Sequence, residues 1–113
     1  MSGLINPADR IFVAGHRGMA GRAICRALTR AGYGVAAQGG SLLTAARDQL
    51  DLLNAPAVER WFAAHRPTVV VLAAARVGGI HANSTCPADF LLENLKLQNN
   101  VIEAAWRSGV RRL

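Results

Sequence analysis

Apolar and polar positions along this chain follow two different periods, and the changes between them fall at glycines and prolines. Arg10-Ile-Phe-Val-Ala14 is a short apolar run stopped by Gly15, the pattern of a buried strand. From Gly18 the period lengthens. Ala20, Ala23, Ile24, Ala27, Leu28 and Ala31 recur at threes and fours opposite Arg22, Arg26 and Arg30, which predicts a helix stopped by Gly32. Tyr33 to Gly40 is punctuated by glycine, and Ser41-Leu-Leu-Thr-Ala-Ala46 is a candidate second strand. Asn54-Ala-Pro56 reads as a helix cap with proline in the first turn, with Val58, Trp61 and Phe62 as the apolar face and Pro67 just beyond the end. Thr68-Val-Val-Val-Leu-Ala-Ala-Ala75 is the clearest strand. Its unbroken β-branched opening suits a strand covered on both faces, as in a parallel sheet. A last helix is expected from about Pro87 to Gly109, running through Phe90, Leu91, Leu95, Ile102 and Ala105, and Val110-Arg-Arg-Leu113 would lead into another strand.

Strand and helix therefore alternate three times, which predicts an α/β fold: an incomplete Rossmann-like, doubly wound parallel sheet with flanking helices and right-handed crossovers. Residues 1–9 are expected to be an N-terminal extension. Residues 10–113 are expected to form one domain whose sheet is unfinished, as in a chain that has been cut.

Composition narrows the classes. With 113 residues there is room for one modest core, and 51% apolar against 18% charged residues argues against a disordered chain. The longest apolar run, Val69 to Ala75, is too short to cross a bilayer, and MSGLINPADR lacks the pattern of an export signal. No membrane partner is expected. Cys25 and Cys86 have no metal-ligand spacing and read as reduced thiols of a cytoplasmic protein, with no metal. The net charge of +6 comes from scattered residues, all arginine except Lys96, without a basic run or interleaved aromatics, so no nucleic-acid partner is expected.

Gly15, Gly18 and Gly21 fall where the first strand hands over to the first helix, and that context gives their spacing meaning. Gly15 allows a tight turn of positive φ. Gly18 lets a pyrophosphate approach the backbone, and Gly21 lets the helix pack closely on the strand. The helix start meanwhile offers N–H groups to the anion. A glycine-rich turn that merely permits close packing is the alternative. Arg17 lies inside this loop and Arg47 at the expected end of the second strand, Ala46-Arg47-Asp48. Two guanidiniums there suit the 2′-phosphate of NADP, whereas Asp48 would suit the free ribose hydroxyl of NAD; NADP is favoured and NAD stays open.

The spacing G-x-x-G-x-x-G resembles that of the extended short-chain dehydrogenase/reductases, and three blocks narrow the likeness. Ala14-Gly-His-Arg-Gly-Met-Ala-Gly21, Arg47-Asp-Gln-Leu-Asp-Leu-Leu53, and Leu72-Ala-Ala-Ala-Arg-Val-Gly-Gly-Ile80 with Ala82-Asn83 and Pro87-Ala-Asp-Phe90 resemble the N-terminal part of the GDP-L-fucose synthase family. The likeness covers nearly all of residues 10–113. It implies that Gly15, His16, Arg17, Gly18, Met19, Ala20 and Gly21 bind the cofactor phosphates, with Arg17 and Arg47 near the 2′-phosphate. Asp48, Gln49, Leu50, Asp51 and Leu52 would border the adenine; Leu72, Ala73 and Ala74 would line the ribose. Val77, Gly78 and Gly79 would lie near substrate, and Arg76 stands where the family commonly has lysine or asparagine.

The complete family protein epimerises GDP-4-keto-6-deoxy-D-mannose at carbons three and five, reduces the carbon-four ketone with NADPH, and is a homodimer. The family's catalytic serine and Tyr-x-x-x-Lys pair are expected beyond residue 113: Tyr33, the sole tyrosine, is followed by Ala37 where a lysine is needed. Cys86 and His81 are close in sequence, but proximity in a loop supplies neither orientation nor pKa tuning for acid–base chemistry. Two other readings stay open: a different nucleotide-sugar epimerase or dehydratase with the same first half, and a dinucleotide-binding module without catalysis.

Overall fold

The computed structural model describes residues 5–74 and 87–113. Among these, β1 (Arg10–Ala14), α1 (Met19–Arg30), a 3-10 turn (Ala36–Gln38), β2 (Ser41–Leu43), α2 (Ala55–His65), β3 (Val69–Leu72) and α3 (Pro87–Ser108) follow in order. The strands form one parallel sheet in the order β2-β1-β3, with Phe12 opposite Leu43 on one side and Val70 on the other. The expected α/β architecture is therefore present.

β1 is the central strand, and its side chains alternate between two cores. Phe12 and Ala14 join Val70, Leu50, Val58 and Phe62 of α2, and Val101, Ala104 and Ala105 of α3 on one face. Ile11 and Val13 join Val69 on the other face, where Ile24, Cys25, Leu28 and Tyr33 pack. No residue from Ile11 to Ala14 is more than 2% exposed, as a strand covered on both faces requires.

Local chemistry fixes the helix ends. Asn54 caps α2, its side chain accepting from the Ala57 amide at 3.2 Å, with proline in the first turn as expected. The helix closes on Arg66 in the left-handed conformation (φ 50°), and Arg10 Nε donates to the His65 carbonyl at 2.9 Å. Arg10 thereby ties the central strand to an orphan carbonyl at the end of α2.

Two expectations are corrected, and the face of the last helix is settled. β2 ends at Leu43, not Ala46. Both backbone groups of Ala46 are taken by a turn: its amide donates to Gln49 Oε1 at 2.9 Å, and its carbonyl accepts from the Gln49 and Leu50 amides. On α1 the inward stripe is Gly21, Ile24, Cys25 and Leu28, while Ala20, Ala23, Ala27 and Ala31 are exposed on its flank. On α3 the buried stripe is Leu97, Val101, Ala104 and Ala105; Leu91, Leu95 and Ile102 are 47–61% exposed, and Trp106 is 78% exposed. α3 is apolar on two faces, and periodicity alone does not say which one the sheet takes.

The segment after α3 returns to the sheet as expected. Arg112 forms a parallel bridge with Val69, and the Val70 amide donates to its carbonyl at 2.9 Å. Beside it lies a polar staple. Asp9, 5% exposed, accepts from the Asn6 amide at 2.8 Å, from Thr68 Oγ1 at 2.9 Å and from Arg111 Nη2. Burial pushes the Asp9 carboxyl up, but the hydrogen bonds from Arg111, Asn6 and Thr68 outweigh it and hold the group below its ordinary range. A depressed folded-state pKa gives stability that is complete above the unfolded value, near pH 4, and is lost as pH falls through the folded value. Asp9→Asn should cost about 1–3 kcal/mol at neutral pH, leaving Arg111 without its carboxylate. Thermal unfolding followed from pH 7 to 2 should show the gap between parent and variant closing below about pH 4. A constant gap across that range would mean the carboxylate charge contributes nothing.

Candidate functional site

A cleft of about 370 Å³ opens above the carboxyl ends of β1 and β3. Most of its wall comes from three loops, with Gly15, His16, Arg17 and Gly18 after β1, residues 45–47 and 50–53 after β2, and Ala73 and Ala74 after β3; Phe12 and Ala14 of β1 and Leu97 of α3 complete it. The chain leaves β1 towards β2 on one side and later returns to β3 on the other. This is the strand-order reversal at which parallel sheets hold ligands.

The floor is made of backbone meeting backbone. Gly15 has φ 89°, and a Cβ there would lie 2.6 Å from the Ala74 Cα and amide nitrogen. At Gly21 a Cβ would stand 1.9 Å from the Gly15 carbonyl oxygen and 2.8 Å from the His16 Cα. The start of α1 therefore presses onto the turn itself, not onto the strand. Gly18 is different. It is exposed and extended (φ −73°, ψ 168°), and a Cβ there would meet nothing nearer than the Gly15 carbonyl oxygen at 3.6 Å. Its amide closes the turn by donating to that same oxygen at 3.2 Å.

α1 has no side-chain cap, and the Met19, Ala20 and Gly21 amides have no acceptor among the described residues. An uncapped helix start carries a partial positive charge and free donors, a natural cradle for an anion. Arg17 and Arg47, both exposed, add two full charges to the same cleft from separate turns. Phe12, Ala14, Leu50, Leu52, Leu53 and Leu97 give it an apolar side, which suits a flat ring more than a bare phosphate.

Of the residues expected at the site, Gly15, His16, Arg17, Gly18, Arg47, Leu50, Asp51, Leu52, Ala73 and Ala74 line the cleft. Met19 and Ala20 are exposed in the first turn of α1, and Gly21 is buried beneath the turn. Gln49 is occupied in bracing Ala46, and Asp48 stays outside the walls. Leu72 ends β3 and packs against the core, leaving the lining to the two alanines after it. Val77, Gly78 and Gly79 lie outside the described residues, as do Arg76, His81 and Cys86. Phe12, Ala14, Ala45, Ala46, Leu53 and Leu97 also line the cleft and were not expected there. Leu53 and Ala46 adjoin the Arg47–Leu52 block, with Ala45 one residue further, and were within reach of a wider reading; Leu97 arrives from α3, and no local pattern announces it.

Two groups that could attract a catalytic reading are structural. Tyr33 packs with Ile11 and Val13, and burial pushes the Cys25 thiol up, away from the thiolate. Among the described residues no helix is long and apolar enough to cross a membrane.

The model of the NAD dependent epimerase/dehydratase family matches residues 11–113. GDP-L-fucose synthase 1 of Arabidopsis thaliana is 44% identical over 113 residues, covering all of this chain and 33% of the relative. Among solved structures, a GDP-mannoheptose C4 reductase from Campylobacter jejuni with NADP bound superposes with a TM-score of 0.81 at 36% identity, over 94% of this chain and 30% of its own. A GDP-L-fucose synthetase from Naegleria fowleri bound to NADP gives 0.73 at 26% identity, over 94% and 29%. The chain thus spans about a third of the length of the curated relatives it matches.

The glycines make separable demands. Gly21→Ala should lose more than about 2 kcal/mol, because its Cβ meets main chain that must move. Gly18→Ala should stay within about 1 kcal/mol of the parent, a small capping loss being offset by a stiffer unfolded chain. Urea unfolding of both variants measures this, and equal losses would contradict the described turn.

Proposed function

The chain belongs to the NAD dependent epimerase/dehydratase family, and from that premise we propose that it is the NADP-binding amino-terminal part of a GDP-L-fucose synthase. The complete protein would convert GDP-4-keto-6-deoxy-D-mannose to GDP-L-fucose by 3,5-epimerisation and NADPH-dependent reduction of the 4-ketone. The observation that carries the reading is the cleft over β1 and β3, where an uncapped helix start, a Cβ-free approach at Gly18 and two arginines converge.

The residues present fit a dinucleotide. The Met19, Ala20 and Gly21 amides would hold the diphosphate through hydrogen bonds aided by the helix dipole. Arg17 and Arg47 would clamp a 2′-phosphate, and a guanidinium suits it better than an ammonium because its paired donors match two phosphate oxygens. The apolar wall around Leu50, Leu52 and Leu53 would cover the adenine, and Ala73 and Ala74, small and at a strand end, leave space for the ribose towards the nicotinamide. When bound, the cofactor supplies a hydride. This chain's share of the work is to bind and orient it and to exclude water from its adenosine half. Val77, Gly78 and Gly79 keep their assignment near substrate.

The reading carries a cytoplasmic location and a homodimer for the complete protein. The exposed stripe of Leu91, Leu95, Ile102 and Trp106 on α3 is a face that such pairing would cover. A second reading is supported by the 36% identity to a C4 reductase acting on another GDP-sugar: the same cofactor half in an enzyme of different sugar specificity.

Calorimetric titration tests the cofactor half directly. NADPH should bind at least about tenfold more tightly than NADH, and Arg17→Ala or Arg47→Ala should each weaken NADPH about fivefold while leaving NADH unchanged. Equal affinity for the two dinucleotides, or none for either, would overturn the proposal.

A further inference from the structure

Between β2 and α2 the chain makes the outer wall of the cleft without belonging to the sheet. Its hydrogen bonds are local: Ala46 with Gln49 and Leu50, the Leu53 amide to Asp51 Oδ1 at 3.0 Å, and the Asn54 amide to the Asp51 carbonyl at 3.0 Å. Such bonds shape the segment but do not place it. Placement comes from elsewhere. Leu50 sinks into the core at 6% exposure, Leu52 packs against that core, and the Leu52 carbonyl accepts from Asn100 Nδ2 at 2.8 Å.

Asn100 sits mid-helix in α3, where asparagine is a poor helix former and contributes nothing to propagation. It lies beside the fully buried Val101 and one turn after Leu97, which itself lines the cleft. A half-buried amide on that shoulder needs a partner, and it takes one 48 residues away in sequence. A carbonyl held from outside fixes its peptide plane, and with it the directions of the residues on either side. Those residues, Leu52 and Leu53, both line the cleft, whereas Asn100 does not.

We propose that Asn100 is a positioning residue for the adenosine end of the cleft: by holding the Leu52 carbonyl it sets the wall formed by residues 50–53 at the spacing an adenosine 2′-phosphate requires. The inference rests on the cofactor reading above and extends it to a side chain that touches no ligand. α3 then serves the site twice, with Leu97 as lining and Asn100 as brace.

The test uses NADPH and adenosine 2′,5′-bisphosphate, which represents the adenosine end alone. Asn100→Ala removes the donor, and Asn100→Asp keeps the shape while setting an oxygen against the carbonyl. Both variants should bind the two probes about fivefold to tenfold more weakly and by the same factor for each, since the loss lies wholly at the adenosine end. A merely structural role would lower the melting temperature and leave affinity of the folded protein within about twofold of the parent, and that result overturns the proposal. A loss confined to NADPH would overturn it as well. Should neither variant fold, the unaltered chain decides: saturation with the bisphosphate should shift the Asn100 side-chain amide resonance, and an unmoved resonance sinks the idea. If the unaltered chain binds neither probe, the cofactor reading falls and this role with it; if it binds both and the variants bind equally well, only the role of Asn100 falls.

Discussion

The first turn of α1 lies against the main chain of Gly15 and His16 with no side chain between them, and Gly15 in turn lies against the main chain of Ala74. Two neighbouring segments and a third some sixty residues away in sequence are thus stacked at backbone thickness. This close approach depends on what is absent at positions 15 and 21, and the glycine side of the cleft follows from it. A methyl group at position 21 would push α1 off the turn, and one at position 15 would push the turn off the chain after β3. The left-handed φ at Gly15 reverses the chain within that thickness.

Eight of the thirteen basic residues fall into three uses. Arg10, Arg107 and Arg111 are committed to structure: Arg10 to a helix carbonyl and Ser41, Arg107 to Glu103 and Glu59 across α2 and α3, and Arg111 to Asp9. The Arg107 pairs are exposed and contribute little, whereas Arg111 meets a buried carboxylate with several other donors. Arg22, Arg26 and Arg30 face outward on α1. Arg17 and Arg47 stand apart from both groups because the cleft gathers them. The net charge alone pointed towards no particular partner; the division does.

Much of this was legible beforehand where physics is local. β1, the Asn54 cap, the start and stop of α3 and the special demands of Gly15 and Gly21 all follow from residues within a few positions of one another. The misreadings have a common cause. β2 is short because a glutamine side chain three residues on captures the Ala46 amide, a competition that apolar patterning does not register. The face of α1 was assigned by counting apolar residues, yet alanine is content on a flank; α3 is apolar on two sides, and counting does not choose between them. Leu97, Asn100 and the Thr68 and Arg111 partners of Asp9 were invisible, since each acts over separations of about fifty to a hundred residues.

The bond between Arg111 and Asp9 spans 102 residues. Drawing so distant a pair together costs chain entropy that no local contact repays, so the pair closes only after the intervening sheet and helices have brought its ends near. Asp9 and Arg111 therefore tie the lead-in to β1 to the segment that follows α3, a link between the two ends of the described chain that no run of neighbouring residues could make.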